Sequence, residues 1–173
     1  IRQWRFIGYV RDVKNHAGEK ESGVLSLGID AIFESRDRMG FNIRQTTENL
    51  SNGFTLGNGV QIDADNYKDM KVQFLLRSNQ SRGLWGDVKI EKGGYFGGDR
   101  TQYGGSVGKR FSNHLTLYGS ANRNLISMPN QGEFTADIFG MTAEMALNRK
   151  WFGKTLIQYD NFSEQIQLYC RIN

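Results

Sequence analysis

An all-β fold, an antiparallel up-and-down β-barrel of about ten strands and of the outer-membrane type, is what this 173-residue sequence predicts. Three observations carry the expectation. Apolar and polar residues alternate with a period of two along most of the chain, the alternating segments run to about 9–13 residues, and aromatic side chains gather near their ends. Globular strands average roughly 5–6 residues, whereas a tilted strand crossing a bilayer needs about 9–11.

The elements follow in order. A less regular strand spans Arg2 to Val10. The clearest alternation comes next, with Leu25, Leu27, Ile29, Ala31 and Phe33 on one face and Ser26, Gly28, Asp30 and Glu34 on the other. Met39, Phe41 and Ile43 then oppose Gly40, Asn42 and Arg44, and Val72, Phe74 and Leu76 oppose Lys71, Gln73 and Arg77. Leu84, Val88 and Ile90 face away from Trp85, Asp87, Lys89 and Glu91, as Tyr103 and Val107 do from Gln102, Ser106 and Arg110. Leu115, Leu117 and Ala121 oppose Thr116, Tyr118, Ser120 and Asn122. Phe134 to Met145 is read as a strand between strands, although Phe134, Ile138, Met141 and Met145 also fit helical spacing. Trp151 to Asn161 is less regular, and Ile166, Leu168, Cys170 and Ile172 close the pattern opposite Gln165, Gln167, Tyr169 and Arg171. Short joints (35–37, 97–99, 111–113, 161–163) and longer polar links (12–23, 48–66, 127–132) suggest tight turns at one rim and loops at the other.

Composition narrows the function classes. Twenty-one Gly and one Pro exclude a proline-rich linker, and the whole chain reads as a single domain. No stretch approaches the ~18 apolar residues of a membrane helix, which leaves a barrel open because its polar lumen lowers the mean hydropathy. The charge of +4 is spread without a basic cluster, so no nucleic-acid partner is expected. Cys170 stands alone, which excludes an intrachain disulfide and a multi-thiolate metal site.

The candidate functional surface is the polar face: Asp30, Glu34, Arg44, Lys71, Arg77, Asp87, Lys89, Glu91, Arg110 and Arg171. In a membrane barrel these point into the lumen, because Arg or Lys facing lipid at the midplane costs about 2–4 kcal/mol. A narrow lumen favours a paired network over an open pore. Trp4, Tyr9, Tyr67, Trp85, Tyr95, Trp151 and Tyr159 are the candidate interface aromatics, since one part of each ring is apolar and the other keeps its hydration.

Catalytic patterns are weak. Gly104-Gly105-Ser106-Val107-Gly108 matches a nucleophile elbow in letters, yet it lies inside an alternating strand with no helix after it. Asp87 and Glu91 stand about 13 Å apart along one strand, beyond the ~5–9.5 Å of a glycosidase pair. His16 and His114 share no ligand spacing, so neither a metal nor a cofactor is expected.

The second half resembles a family of bacterial proteins, mostly from Bacteroidetes-type organisms, in which a C-terminal β-barrel domain of unknown function follows an N-terminal domain like the family-nine carbohydrate-binding modules. The residues that carry it are Gly93 to Arg100, Arg110 to Leu115, Gly132 to Phe134, and above all Asn148 to Ser163 with Gln165 to Asn173. The resemblance implies the outer membrane of a Gram-negative bacterium, with a link to surface glycan handling and no catalytic residues to carry over. The chain shows nothing like the sugar-binding domain and stops short of the family's aromatic-rich final strand, so a fragment, one arc of a larger barrel, is the alternative expectation. The expected role is a non-enzymatic scaffold, anchor or small pore, with the lipid bilayer and another outer-membrane or surface protein as partners. A barrel enzyme (hydrolase or acyltransferase) and a soluble barrel or sandwich holding an apolar ligand or protein partner are the alternatives.

Overall fold

The computed structural model describes residues 1–56, 59–146 and 151–172. Asn148, Arg149, Lys150 and Asn173, part of the run that carries the resemblance, lie outside the described residues. The strands are β1 (Gln3–Lys14), β2 (Lys20–Ile32), β3 (Arg38–Asn49), β4 (Phe54–Thr55), β5 (Gln61–Ile62), β6 (Asn66–Arg77), β7 (Leu84–Tyr95), β8 (Gly98–Arg110), β9 (Leu115–Met128), β10 (Gly132–Ala146), β11 (Phe152–Asp160) and β12 (Gln165–Ile172). Ten of them form one antiparallel sheet in the order β1-β2-β3-β6-β7-β8-β9-β10-β11-β12, and β4 and β5 make a separate small hairpin between β3 and β6. The ambiguous segment 134–145 is strand, because β10 is laddered to β9 on one side and β11 on the other.

Two expectations are corrected. The sheet is not closed into a barrel: among the described residues β1 pairs with β2 alone, and β12 with β11 alone. Each observed ladder joins strands that are neighbours along the sheet order and linked by a short connection or the β3–β6 loop. A seam between β1 and β12 would be a pairing across the length of the chain that no turn enforces. Nor are short and long links sorted by rim. The rim carrying the β3–β6 loop also carries the tightest turn, Phe96 and Gly97 between β7 and β8. Both residues have positive φ, 47° and 80°, the twist that a two-residue hairpin turn requires. Phe96 accepts that conformation with its ring edge-on to Phe54, Tyr67 and Tyr95 and its amide donating to Asp69 Oδ2 at 3.1 Å.

Register converts the two-residue period into two continuous faces. One row runs Trp4, Ala31, Met39, Leu76, Val88, Gly105, Ala121, Phe139, Tyr159, Ile166 across all ten strands. On β2, β3 and β6 the apolar residues extend from this row towards the β3–β6 loop, through Ile29 and Leu27, Phe41 and Ile43, Phe74 and Val72. On β9 and β10 they extend the other way, through Leu117, Met141, Ala143 and Met145. The apolar belt therefore crosses the strands obliquely, shifting by about six residues, or ~20 Å at ~3.3 Å per residue, from one edge to the other.

Burial is inverted relative to a soluble domain. Phe6, Leu27 and Ile166 on the apolar face are 78%, 63% and 73% exposed, whereas Asp30 and Glu91 on the polar face are 3% and 5% exposed. The compact hydrophobic cluster is a local one, where Val60 and Ile62 of the β3–β6 connection pack on Ile126 and Met128 of β9. Gln131, in the β9–β10 turn, accepts from the Gln61 amide at 2.7 Å and donates to the Gln61 carbonyl at 2.8 Å. A loop leaving β3 thus reaches the polar side of β9, three ladders beyond β6 or about 14 Å along the sheet, so it lies across one end of the polar face. Replacing Ile62, 2% exposed, with Ala is expected to cost about 2–5 kcal/mol of local stability. The check is faster amide exchange over residues 59–62 and 126–132 with the central ladders unchanged.

At the opposite rim, Asp37 accepts hydrogen bonds from Ser35 Oγ at 2.7 Å, the Asn79 amide at 2.8 Å and Arg82 Nη2 at 2.9 Å. Donation by Ser35, then by Asn79, with the nearby Arg82 charge, holds its carboxyl below the ordinary aspartate range. A depressed native pKa means that the contribution is present above the unfolded value of ~3.9 and lost as pH falls through the native one. A carboxyl-carbon NMR titration should place Asp37 below the ordinary aspartate range, and Asp37→Asn should remove that part of the acid sensitivity.

Candidate functional site on the polar face

The ladders place Asp30, Arg44, Lys71, Arg77, Asp87, Lys89, Glu91, Arg110 and Arg171 on one face, while Glu34 lies in the turn 33–37 outside them. They are not one constellation but several separate groups. Asp30, on β2, receives Arg5 Nε and Nη2 at 3.0 and 2.7 Å and Arg38 Nη2 at 2.8 Å. Gly40 stands directly opposite, where a Cβ would sit 2.5 Å from Asp30 Oδ1, so the carboxylate occupies space that only glycine leaves. Further along the face, Glu91 accepts from Arg100 Nη2 at 2.6 Å and Gln73 Nε2 at 3.0 Å. Arg44 and Lys71 are cross-strand neighbours beside it.

Smaller polar pairs fill the remainder. Ser26 and Asn42 exchange hydrogen bonds across β2 and β3, Gln102 donates to Asn122 at 2.9 Å, and Lys154 meets Glu144 at 2.8 Å. Arg110 lies 5.9 Å above the Trp85 ring, which itself covers Gly108. Ser106 donates to Asp87, so the serine of the elbow-like sequence is held by a carboxylate on a regular strand, with no histidine between them. Asp87 and Glu91 bind different partners and share no gap. His114 Nδ1 contacts the Ala146 carbonyl, and no group of three or more metal-ligating side chains exists among the described residues.

The aromatic residues divide. Trp4 and Tyr159 lie in the apolar row, and Trp151, more than half exposed, precedes β11. Tyr9, Tyr67, Trp85 and Tyr95 carry polar-face parity, opposite Ser26, Glu48, Gly108 and Gly98. Tyr67 and Tyr95 belong to the cluster under the β3–β6 loop.

Arg5, Arg38 and Arg100, the cations that hold the buried carboxylates, were not among the residues the alternation singled out. Parity finds all three: Arg5 stands between Trp4 and Phe6, Arg38 one position before Met39 and Arg100 three before Tyr103. Arg123 and Asp137 had no such signal, because they lie on the apolar face. They stand opposite each other on β9 and β10, with Arg123 Nε 2.9 Å and Nη2 2.7 Å from the carboxylate and the Asp137 amide donating to Asn161 Oδ1 at 2.6 Å. The pair interrupts the apolar face on those two strands, with Leu125 beyond it on β9.

Comparison with protein-family models, with curated proteins and with solved structures finds no match to this chain.

The Asp30 group separates buried from exposed ion pairs. With its side chain 4% exposed, Asp30→Asn should cost about 3–5 kcal/mol, because two guanidinium groups lose their carboxylate. Glu144→Gln, in a pair about two-fifths exposed on both sides, should cost under about 1 kcal/mol. Denaturant unfolding of the two variants measures the difference.

Proposed function

We propose that this chain forms the wall of an outer-membrane-type β-barrel that serves as a non-enzymatic anchor or scaffold, with its polar face inward and the lipid bilayer against its apolar belt. The oblique course of that belt is the observation that carries the reading. A flat slab of hydrocarbon cuts tilted strands obliquely to their hydrogen-bond rows, so a lipid-facing belt must drift along the register from strand to strand.

Three further features support it. Large side chains such as Phe6, Leu27 and Leu168 stand exposed as a continuous band, well beyond the patches that soluble monomers tolerate. Ions are paired on the inward face, and the hairpin β4–β5 covers one end of it, which favours a filled interior over an open pore. Strands of 12 to 15 residues across the central sheet reach through a bilayer and beyond it. The reading requires the edges of β1 and β12 to be paired in the membrane, since unpaired N–H and C=O groups do not persist in hydrocarbon. The resemblance described above adds a partner class, a surface or outer-membrane protein that handles glycans.

Leu27→Arg tests the reading directly. Facing lipid near the midplane, the arginine should destabilise the folded form by about 2–4 kcal/mol and reduce its recovery in bilayers; facing water, it should change little. The wild-type chain should need detergent for monodispersity and migrate differently on a gel before and after boiling. A monodisperse, detergent-free chain whose Leu27→Arg variant is as stable as wild type would overturn the proposal in favour of a soluble sheet.

A further inference from the structure

We infer that the turn-side end of the polar face is a binding site for a phosphate-type oxyanion. A cavity of about 350 Å³ opens there, lined by Arg5, Arg36, Arg38 and Arg77 together with Asn79 and Gln80. Four arginines line it, and two of them, Arg5 and Arg38, already share the Asp30 carboxylate. Arg38 and Arg77 are direct cross-strand neighbours, a like-charge pairing that raises the energy of a ladder unless something neutralises it. Asp87, across the next ladder from Arg77, is hydrogen-bonded by Ser106 and forms no ion pair with Arg77 among the described residues. The side chains of Arg36 and Arg77 make no ion pair there either, and Arg38 Nε is buried without a hydrogen-bond partner. Asp37, close by in the turn, is already engaged by Ser35, Asn79 and Arg82.

Unpaired guanidinium forks around a cavity of this size match an oxyanion carrying two charges and a small attached group. Each fork can donate two parallel hydrogen bonds to a phosphate, a geometry that an ammonium does not offer. The bound anion would relieve the Arg38–Arg77 repulsion. The phosphate is shared chemistry between a soluble phosphomonoester and a lipid headgroup, so both sources belong in the test. The site does not rest on the membrane reading, because its lining comes from the paired ends of β1, β2, β3 and β6 and from the β2–β3 and β6–β7 turns, whichever medium surrounds the apolar face.

Titration calorimetry of the full chain, in detergent micelles or in buffer if it proves monodisperse there, should use inorganic phosphate, glycerol 3-phosphate and micelles doped with phosphatidic acid. Saturable binding of the free phosphates supports the site and assigns a soluble ligand; binding seen only with phosphatidic acid supports it and assigns a lipid headgroup. The double variant Arg36→Gln, Arg77→Gln should bind roughly 10- to 100-fold more weakly, the loss expected when charged hydrogen bonds are removed. Neither residue is in an ion pair among the described residues, so the variant's unfolding midpoint should stay near wild type. Arg110→Gln, on the same face over Trp85 but outside the cavity, should bind as wild type does. Absence of saturable binding by all three probes, or a double variant that binds as tightly as wild type, overturns the inference. Detergent dependence is measured independently, so failure here is distinguishable from failure of the membrane proposal.

Discussion

The antiparallel ladder is the constraint on which the rest of this molecule depends. Because side chains alternate across a pleated strand and direct partners share a face, a register fixed at each hairpin sorts every residue of the next strand as well. Nine successive ladders transmit that sorting from Trp4 to Ile166 without a break. A slip of one residue at any hairpin would put Asp30 or Glu91 on the apolar side and Leu27 or Phe74 among the arginines. Either carboxylate would then lose the arginines that hold it, so the alternation specifies its own register.

The resulting wall is held together differently on its two sides. On the polar side, buried carboxylates are few and each is gripped by cations from neighbouring strands: Asp30 by Arg5 and Arg38, Glu91 by Arg100. These contacts join strands laterally and leave cationic side chains in excess, most clearly around Arg77. The apolar side, by contrast, contributes little packing of its own, and its exposed side chains acquire stabilising value only against an apolar medium. One sheet thus has a face whose buried carboxylates are paired within it and a face that awaits its surroundings.

Glycine has a specific part in this division. Gly40 leaves room for the Asp30 carboxylate, and Gly108 lies under the Trp85 ring. Both are on the polar face, where side chains crowd, and both would look from composition alone like generic strand breakers. Their presence within long regular strands reflects what stands opposite them across the ladder.

Much of the architecture was legible in the residue order. The period of two, the length of the segments and the turn residues are local properties, so the number of long strands, their meander order and the membership of the polar face follow from them, with Lys71, Arg77, Asp87 and Glu91 falling together as parity requires. Tertiary structure alone decided which charges meet, because the partner of Asp30 depends on register and rotamer, quantities that the alternation of one strand does not contain. It also decided that the β3–β6 connection folds onto β9, that Arg123 and Asp137 pair on the apolar side, and that the edges of β1 and β12 stay unpaired in this sheet. Each depends on geometry between segments that no single segment encodes.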